Sequence, residues 1–313
     1  MKRRALDPFE FRSRETLRRG VLRLAQHVAV HARRILPSAA GDLPWAVHEA
    51  RLSLKHARAL LRLVSQGLEK TPPTLTRLDA QLKKAAQVLA PARDIDVGQA
   101  TLARLIQGSP ARDRSRLEPL RHWLATQHRK QPVQPGPILA GLAAIPPLLD
   151  RVALSLDRAP WPKHAWKVLE SSLQTGYRRA RRRLASAADS GEASEFHRAR
   201  TSTKRLMYQT RLLRSASPAR AGRLSRQLDR IQKLLGDDHD LALLDASLER
   251  APAKVGDPKS KKRLRATLAL RQRKLRRRAT RLAREAFLER AAPFATRLHR
   301  DWKSWRKRGA RQS

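Results

Sequence analysis

Along most of this 313-residue chain the apolar positions recur at helical spacing, and no period-2 segment suggests a strand. Leu, Ala, Arg and Gln are abundant, whereas β-branched and aromatic runs are scarce, so the pattern predicts an all-α protein. Pro and Gly punctuate it. A first helix carrying Leu17, Val21, Leu24 and Val28 ends between Pro37 and Pro44, a second ends at Thr71-Pro72-Pro73, and Pro91 and Pro110 mark later breaks. The uncharged run from Gln131 to Leu149 holds Pro132, Pro135, Pro137, Pro146 and Pro147. It reads as a linker over 131–147 and not as a continuous membrane helix, which needs about 20 apolar residues. Beyond it the spacing predicts a basic helix over 166–188, a turn over 186–194, and helices over 193–214, 218–235 and 238–250. Residues 259–311 hold 21 basic residues against Glu285, Glu289 and Asp301. Leu264, Leu268, Leu275, Leu282 and Phe287 give that segment apolar positions, so it is expected as a docked basic helix and not a tail.

The two halves of the pattern match. Val47-His48-Glu49-Ala50-Arg51 and Phe196-His197-Arg198-Ala199-Arg200 share register at an offset of 149, which also places Lys55 on Lys204, Arg62 on Arg211 and Val64 on Leu213. At an offset of 146, residues 82–97 match 228–243, with Lys84 on Arg230, Leu89 on Leu235, Arg93 on His239 and Asp94 on Asp240. Two copies at so long a period predict two helical bundles related by a pseudo-two-fold, residues 1–157 and 158–313, and not a solenoid.

Charge changes the picture. Lys and Arg number 69 against 27 Asp and Glu, a formal net charge of +42, a field that points to a polyanionic partner and away from an enzyme of neutral metabolites. Arg supplies 52 of the basic residues and Lys 17, which suits bidentate contact with phosphate oxygens, although a GC-rich genome also raises Arg and Ala. The 41% apolar content allows a sizeable core. The absence of cysteine excludes disulfides, thiolate nucleophiles and sulfur-based zinc sites, and agrees with a cytoplasmic setting. No apolar run follows Met1-Lys2-Arg3-Arg4, so no export signal is expected.

With His48 at zero and about 100° per residue, Arg51, Lys55, Arg58 and Arg62 fall between about 280° and 340°, and Ala50, Leu54, Ala57, Leu60, Leu61 and Val64 occupy the opposite arc. The second copy repeats the stripe with His197, Arg200, Lys204 and Arg211, while Met207 stands where the first copy has Arg58. Like charges at i,i+3 and i,i+4 cost a few tenths of a kcal/mol each, so something anionic should offset them: acidic neighbours on a solvated face, or a ligand. Two such stripes facing each other across a channel suit a linear chain of phosphates, with affinity falling as counterion-release logic dictates when salt rises. His48 and His197 are either ligand contacts or packing residues. Arg19, Arg23, Arg178 and Arg182, at i,i+4 on the first helix of each half, together with Lys84, Arg93 and Arg230, are outer candidates for the same anion.

These residues resemble the CHAD domain family, named for its conserved histidines and α-helical fold. The resemblance rests on His48, Arg51, Lys55 and Arg58 with Leu89, Arg93 and Asp94, then on His197, Arg200 and Lys204 with Leu235-Gly236 and Asp240, and it extends from about residue 13 to 300. Met207, Ala90 and His239 depart from the family pattern. The resemblance implies two bundles around a central basic pore that binds inorganic polyphosphate, and residence at polyphosphate granules. Relatives fused to a triphosphate tunnel domain carry Glu-x-Glu-x-Lys; here Glu192 and Glu195 have the wrong spacing, so catalysis is not expected. No cofactor or metal is expected either. Asp94, Asp96, Asp238 and Asp240 follow Pro or Gly breaks and read as helix caps, with Asp94 and Asp240 also placed to orient an arginine of the stripe. His239-Asp240 with His197 and Asp245 offers a weak alternative, a metal-dependent phosphohydrolase, but the first copy has Arg93 where a ligating imidazole is needed. The serious rival is non-specific nucleic-acid binding. Aromatic residues are only 4%, however, too few for stacking platforms, and no base-reading motif is evident. Arg276-Arg277-Arg278 and Arg306-Lys307-Arg308 could meet nucleic acid, anionic lipid or polyphosphate, or face solvent.

Overall fold

A computed structural model of the chain describes residues 9–90, 134–164, 166–252 and 258–311, together with residues 103, 107, 118, 119, 121–123, 125, 126 and 255. Among the described residues every regular element is helical. The first half contributes α1 (Leu17–Ile35), α2 (Leu43–Ser65), α3 (Pro73–Val88), α4 (Pro135–Ala143) and α5 (Ile145–Asp157). The second contributes α6 (Trp166–Ser190), α7 (Ala193–Leu212), α8 (Arg223–Arg250), α9 (Pro258–Ala286) and α10 (Ala291–Arg311).

Local chemistry sets these limits. The Thr16 hydroxyl accepts from the Arg19 N–H and the Asp42 carboxylate from the Trp45 N–H, capping α1 and α2. Gly191, at φ 72°, terminates α6 in the left-handed conformation that a glycine adopts without Cβ strain, so the turn expected over 186–194 shrinks to two residues.

Two boundaries differ from the sequence expectation. The stretch 131–147 is no linker in its described part. Pro135 and Pro137 open α4, and Pro146 and Pro147 open α5, because a proline in the first helical turn lacks only an N–H that has no intrahelical acceptor. Residues Pro135–Asp157 are apolar enough to pass as a membrane span by composition, with mean hydropathy 1.5, yet Ile145, Leu148, Leu149, Val152 and Leu156 are buried in the core. Likewise α8 is one continuous helix through Gly236, where a break had been expected between residues 235 and 238. Leu228, Ile231 and Leu235 are buried in the main core before that point and Leu241 and Leu244 in a separate small core after it, and packing on both sides outweighs the ~1 kcal/mol cost of a mid-helix glycine. The Pro91 and Pro110 breaks lie outside the described residues.

In the first half α1 packs on α2 and α5, and α3 packs on α2 and α5. In the second, α6 packs on α7, α9 and α10, and α8 packs on α7 and α9. The halves meet where α2 lies on α6 and α7, and one hydrophobic core runs through both. A strap ahead of α1 ties them further. Phe11 N–H donates to Leu212 O at 3.0 Å, Glu10 accepts from Arg214 and Ser215, the Phe11 ring meets Trp302 edge-on at 5.7 Å, and Arg14 donates to Gly309 O at 3.2 Å. A small second core of Leu241, Leu244, Leu248, Ala251, Leu264 and Leu268 closes the far end of the α8–α9 hairpin. As expected, the segment after 259 is docked: Leu264, Leu268 and Phe287 are buried, and Leu275 and Leu282 half-buried.

Candidate functional site

The amphipathic reading of α2 holds residue by residue. Ala50, Leu54, Ala57, Leu60, Leu61 and Val64 are all buried, His48 is exposed, and Arg51, Lys55, Arg58 and Arg62 are half-buried on the other side. On α7, His197 is exposed, Arg200, Lys204 and Arg211 are half-buried, and Met207 lies in the core. The residue that replaces Arg58 in the second half therefore faces apolar neighbours and not the basic face.

Each stripe runs along the seam between the second and third helix of its half. Arg51 donates to Ala86 O on α3 at 3.2 Å, and Arg58 and Arg62 both grip the Asp79 carboxylate of α3 at 2.9 Å. The His197 ring lies 4.9 Å from that of His239 on α8, the Arg200 guanidinium lies over Gly236, and Arg211 pairs with Asp229 at 3.1 Å. Burial pushes the Asp79 carboxyl up, but hydrogen bonds and charge from Arg58 and Arg62 prevail and hold it below the usual range. Part of each stripe is thus balanced by a carboxylate from the neighbouring helix.

Charge accumulates where the halves meet. Arg205 of α7 is pushed down to about 10 by burial and by the charges of Arg62, Arg179 and Arg58, with Asp79 opposing them. Its Nε is buried with no hydrogen-bond acceptor among the described residues. Arg58 and Arg62 of α2 thus hold one carboxylate, and the charges of Arg179 from α6 and Arg205 from α7 lie close enough to act on the same cluster. An anion entering there would meet several N–H donors already in place, a geometry matched to phosphate oxygens. On the other side of the α2–α7 contact, His56 is stacked on Phe9 at 4.0 Å and meets Tyr208 edge-on at 5.4 Å. Burial, then the charges of Arg211, Lys55, His31 and His27, push it down to about 3, so it is neutral.

Arg179 and Arg205 are absent from the sequence-derived candidates. Arg205 lies about 100° around the helix from Lys204 and so off the stripe. A signal was present, since Arg205 and His56 occupy one register at the offset of 149, both polar and both beside the apolar arc. Among the outer candidates, Arg19, Lys84, Arg178, Arg182 and Arg230 are exposed. Arg23 instead binds Glu15 at 2.6 Å and Glu10 O at 2.9 Å, holding the strap. Arg93, Asp94 and Asp96 lie outside the described residues. The capping role expected for Asp238 and Asp240 is overturned, because both lie inside α8. Asp238 is buried and pairs with Arg276 of α9 at 2.8 Å, and Asp240 is half-buried. Among the described residues no three His, Asp or Glu side chains gather to hold a metal ion.

No curated protein sequence matches the chain. The family model of the CHAD domain does match, over residues 19–249, which includes both stripes, Asp79, Asp229 and the Arg58–Arg62–Arg179–Arg205 cluster. The chain therefore belongs to the CHAD domain family, a family linked to polyphosphate binding.

Proposed function

We propose that this protein binds inorganic polyphosphate without transforming it, in a basic channel between two lobes, residues 1–157 and 158–313, related by a pseudo-two-fold axis. The observation that carries the reading is a reciprocal pairing across the lobes. Arg62 of α2 acts on Arg205 of α7, and Arg211 of α7 acts on His56 of α2. Advancing one partner by 149 residues and setting the other back by 149 turns the first pair into the second, as a two-fold between α2 and α7 requires. The helix order within the halves supports it, since α1–α2–α3 and α6–α7–α8 pack in the same sequence. His48, Arg51, Lys55, His197, Arg200 and Lys204 extend the cationic walls away from the crossing, and Arg58, Arg62, Arg179, Arg205 and Arg211 surround it. Association with cytoplasmic polyphosphate granules follows from this ligand.

The test is a competition experiment. Labelled long-chain polyphosphate bound to the full chain is displaced by unlabelled polyphosphate, short phosphates, or duplex and single-stranded nucleic acid at fixed salt. Long-chain polyphosphate should compete best, and the variant carrying Arg51→Glu, Lys55→Glu, Arg200→Glu and Lys204→Glu should lose binding while remaining helical. Unchanged affinity in that folded variant removes the site. Orthophosphate release with an added divalent metal removes the non-enzymatic reading.

A further inference from the structure

Helix α9 carries a second cationic face that the channel does not use. With Lys259 at zero and about 100° per residue, Lys259, Lys262, Arg263, Arg273, Lys274, Arg277, Arg281 and Arg284 fall within about 60° on either side of it. All eight are exposed. The buried or half-buried Leu264, Leu268, Leu275, Ala279, Leu282 and Ala283 lie on the opposite side, so this face points away from the protein. At about 1.5 Å per residue the row is about 38 Å long. Glu285 is the one acid on the helix, and it stands at the edge of the row.

Helix stability does not account for this arrangement. The helix dipole favours cations at the C-terminal end, where Arg281 and Arg284 stand, but Lys259, Lys262 and Arg263 occupy the N-terminal end, where it opposes them. Neighbours of like charge one turn apart add further cost. The contrast with α2 is direct, because there Asp79 neutralises part of the row.

We infer that the outer face of α9 binds the phosphate backbone of double-helical nucleic acid, independently of base sequence and at a site distinct from the channel. The surface is the outer side of one continuous helix, with its basic side chains exposed. A flexible single chain lying on it would lose conformational freedom with cations on one side only, whereas a duplex is already straight over this length and carries about one charge per 1.7 Å. About 38 Å corresponds to roughly 11 base pairs. The row contains no aromatic residue on which unpaired bases could stack. Leu270 is its one large exposed apolar side chain, too little to wedge into a lipid interface.

The experiment measures affinity of the full chain for a 25-base-pair duplex, for long-chain polyphosphate and for anionic phosphatidylglycerol vesicles across a salt series. The variant Arg273→Glu, Arg277→Glu, Arg281→Glu is compared with the channel variant Arg51→Glu, Lys55→Glu, Arg200→Glu, Lys204→Glu. The α9 variant should bind duplex at least tenfold more weakly, with a salt slope reduced by about 0.9 for each phosphate no longer neutralised, and polyphosphate within about threefold of wild type. The channel variant should show the reverse. Duplex affinity retained by the α9 variant, vesicle binding tighter than duplex binding, or equal loss of duplex and polyphosphate overturns the inference. If the Glu variant is not helical by circular dichroism, Arg273→Ala, Arg277→Ala, Arg281→Ala is read by the same criteria. Failure of the channel variant alone bears on the polyphosphate site and leaves the α9 result standing.

Discussion

Replacing Asp79 by Asn tests whether the inter-lobe cluster is organised by one carboxylate. The amide keeps the shape and removes the carboxylate charge that opposes Arg62 and Arg205 and is paired with Arg58. Three hydrogen bonds are affected, from Arg58 Nε at 2.9 Å, Arg58 Nη2 at 3.3 Å and Arg62 Nη2 at 2.9 Å. Charge-assisted bonds contribute about 1.5–3 kcal/mol each when desolvated, but Arg58, Arg62 and Asp79 retain 20%, 18% and 28% of their side-chain exposure, so we expect a total loss of about 2–3 kcal/mol. With an unfolding entropy of about 2.1 cal/mol/K per residue, that lowers Tm by about 3–5 °C in a chain unfolding as one unit. The Asp79→Asn substitution also releases two guanidiniums for ligand. Polyphosphate affinity should rise several-fold at low salt, the salt slope should steepen by about 0.9 for each additional phosphate neutralised, and saturating polyphosphate should recover part of the lost Tm. Thermal melts with and without polyphosphate, and binding isotherms across salt, read both effects. In the parent protein the folded Asp79 carboxyl lies below its unfolded value of about 3.9, so its contribution is present above that pH and disappears as pH falls through the folded value. A variant of unchanged Tm, or one that binds polyphosphate more weakly than wild type, refutes the assignment of Asp79 as a charge-balancing anchor.

Three further outcomes follow from the same geometry. Because His56 is neutral when folded, with a value near 3 against 6.5 unfolded, stability should decline as pH falls from about 6.5 towards 3, by up to about 1.4 kcal/mol per pH unit; in His56→Phe the slope of Tm against pH between 6.5 and 4.5 should flatten, and an identical slope contradicts the burial argument. Arg205→Met should raise Tm by a degree or two, by relieving like-charge repulsion at a poorly hydrated position, while lowering polyphosphate affinity about tenfold; loss of Tm with affinity intact would assign Arg205 to packing alone. Gly67→Ala should cost about 1–3 kcal/mol, since its Cβ would come within 2.1 Å of the Val168 carbonyl oxygen and force α2 from α6, whereas Gly41→Ala, with nothing within 4 Å, should be near neutral in the same melt.

What the sequence discloses and what it hides divide along the reach of the interaction. Helices whose buried face repeats every turn, such as α1 and α2, are legible because the signal lies within the helix. Proline is ambiguous by nature. Pro135 and Pro146 start helices with the same residue type that ends them elsewhere, and only the packing of Ile138, Leu142, Leu148 and Leu149 decides which. Gly236-Asp237-Asp238 resembles a cap because the partner that satisfies Asp238, Arg276, is 38 positions away. The cationic stripes were legible as faces. Which helix each face meets was not, so the sequence alone left open that Asp79 and Asp229 balance the stripes, or that Arg205 feels the charge of Arg62 from the other half.

The position of those two acids sharpens the functional argument. Arg62 and Arg211 are register equivalents, and each is held by an Asp on the next helix, but the acids are not equivalents. At the offset of 146, Asp79 corresponds to Ser225 and Asp229 to Lys83, one helical turn away. A residue merely inherited through duplication would keep its register. A carboxylate found at different positions yet reaching the same arginine indicates that the arginine itself must be held, extended towards the α2–α7 crossing. The two ends of that crossing then differ in charge. At Arg62 the neighbouring charges are Arg58, Arg179 and Arg205, opposed by Asp79. At Arg211 the corresponding place is taken by neutral His56, and Asp229 is shared with Lys233 at 2.8 Å. On the proposed reading a polyanion lying across the crossing is gripped more strongly at the Arg205 end, so single neutralisations at Arg62 and Arg205 should weaken binding more than Arg211→Gln does.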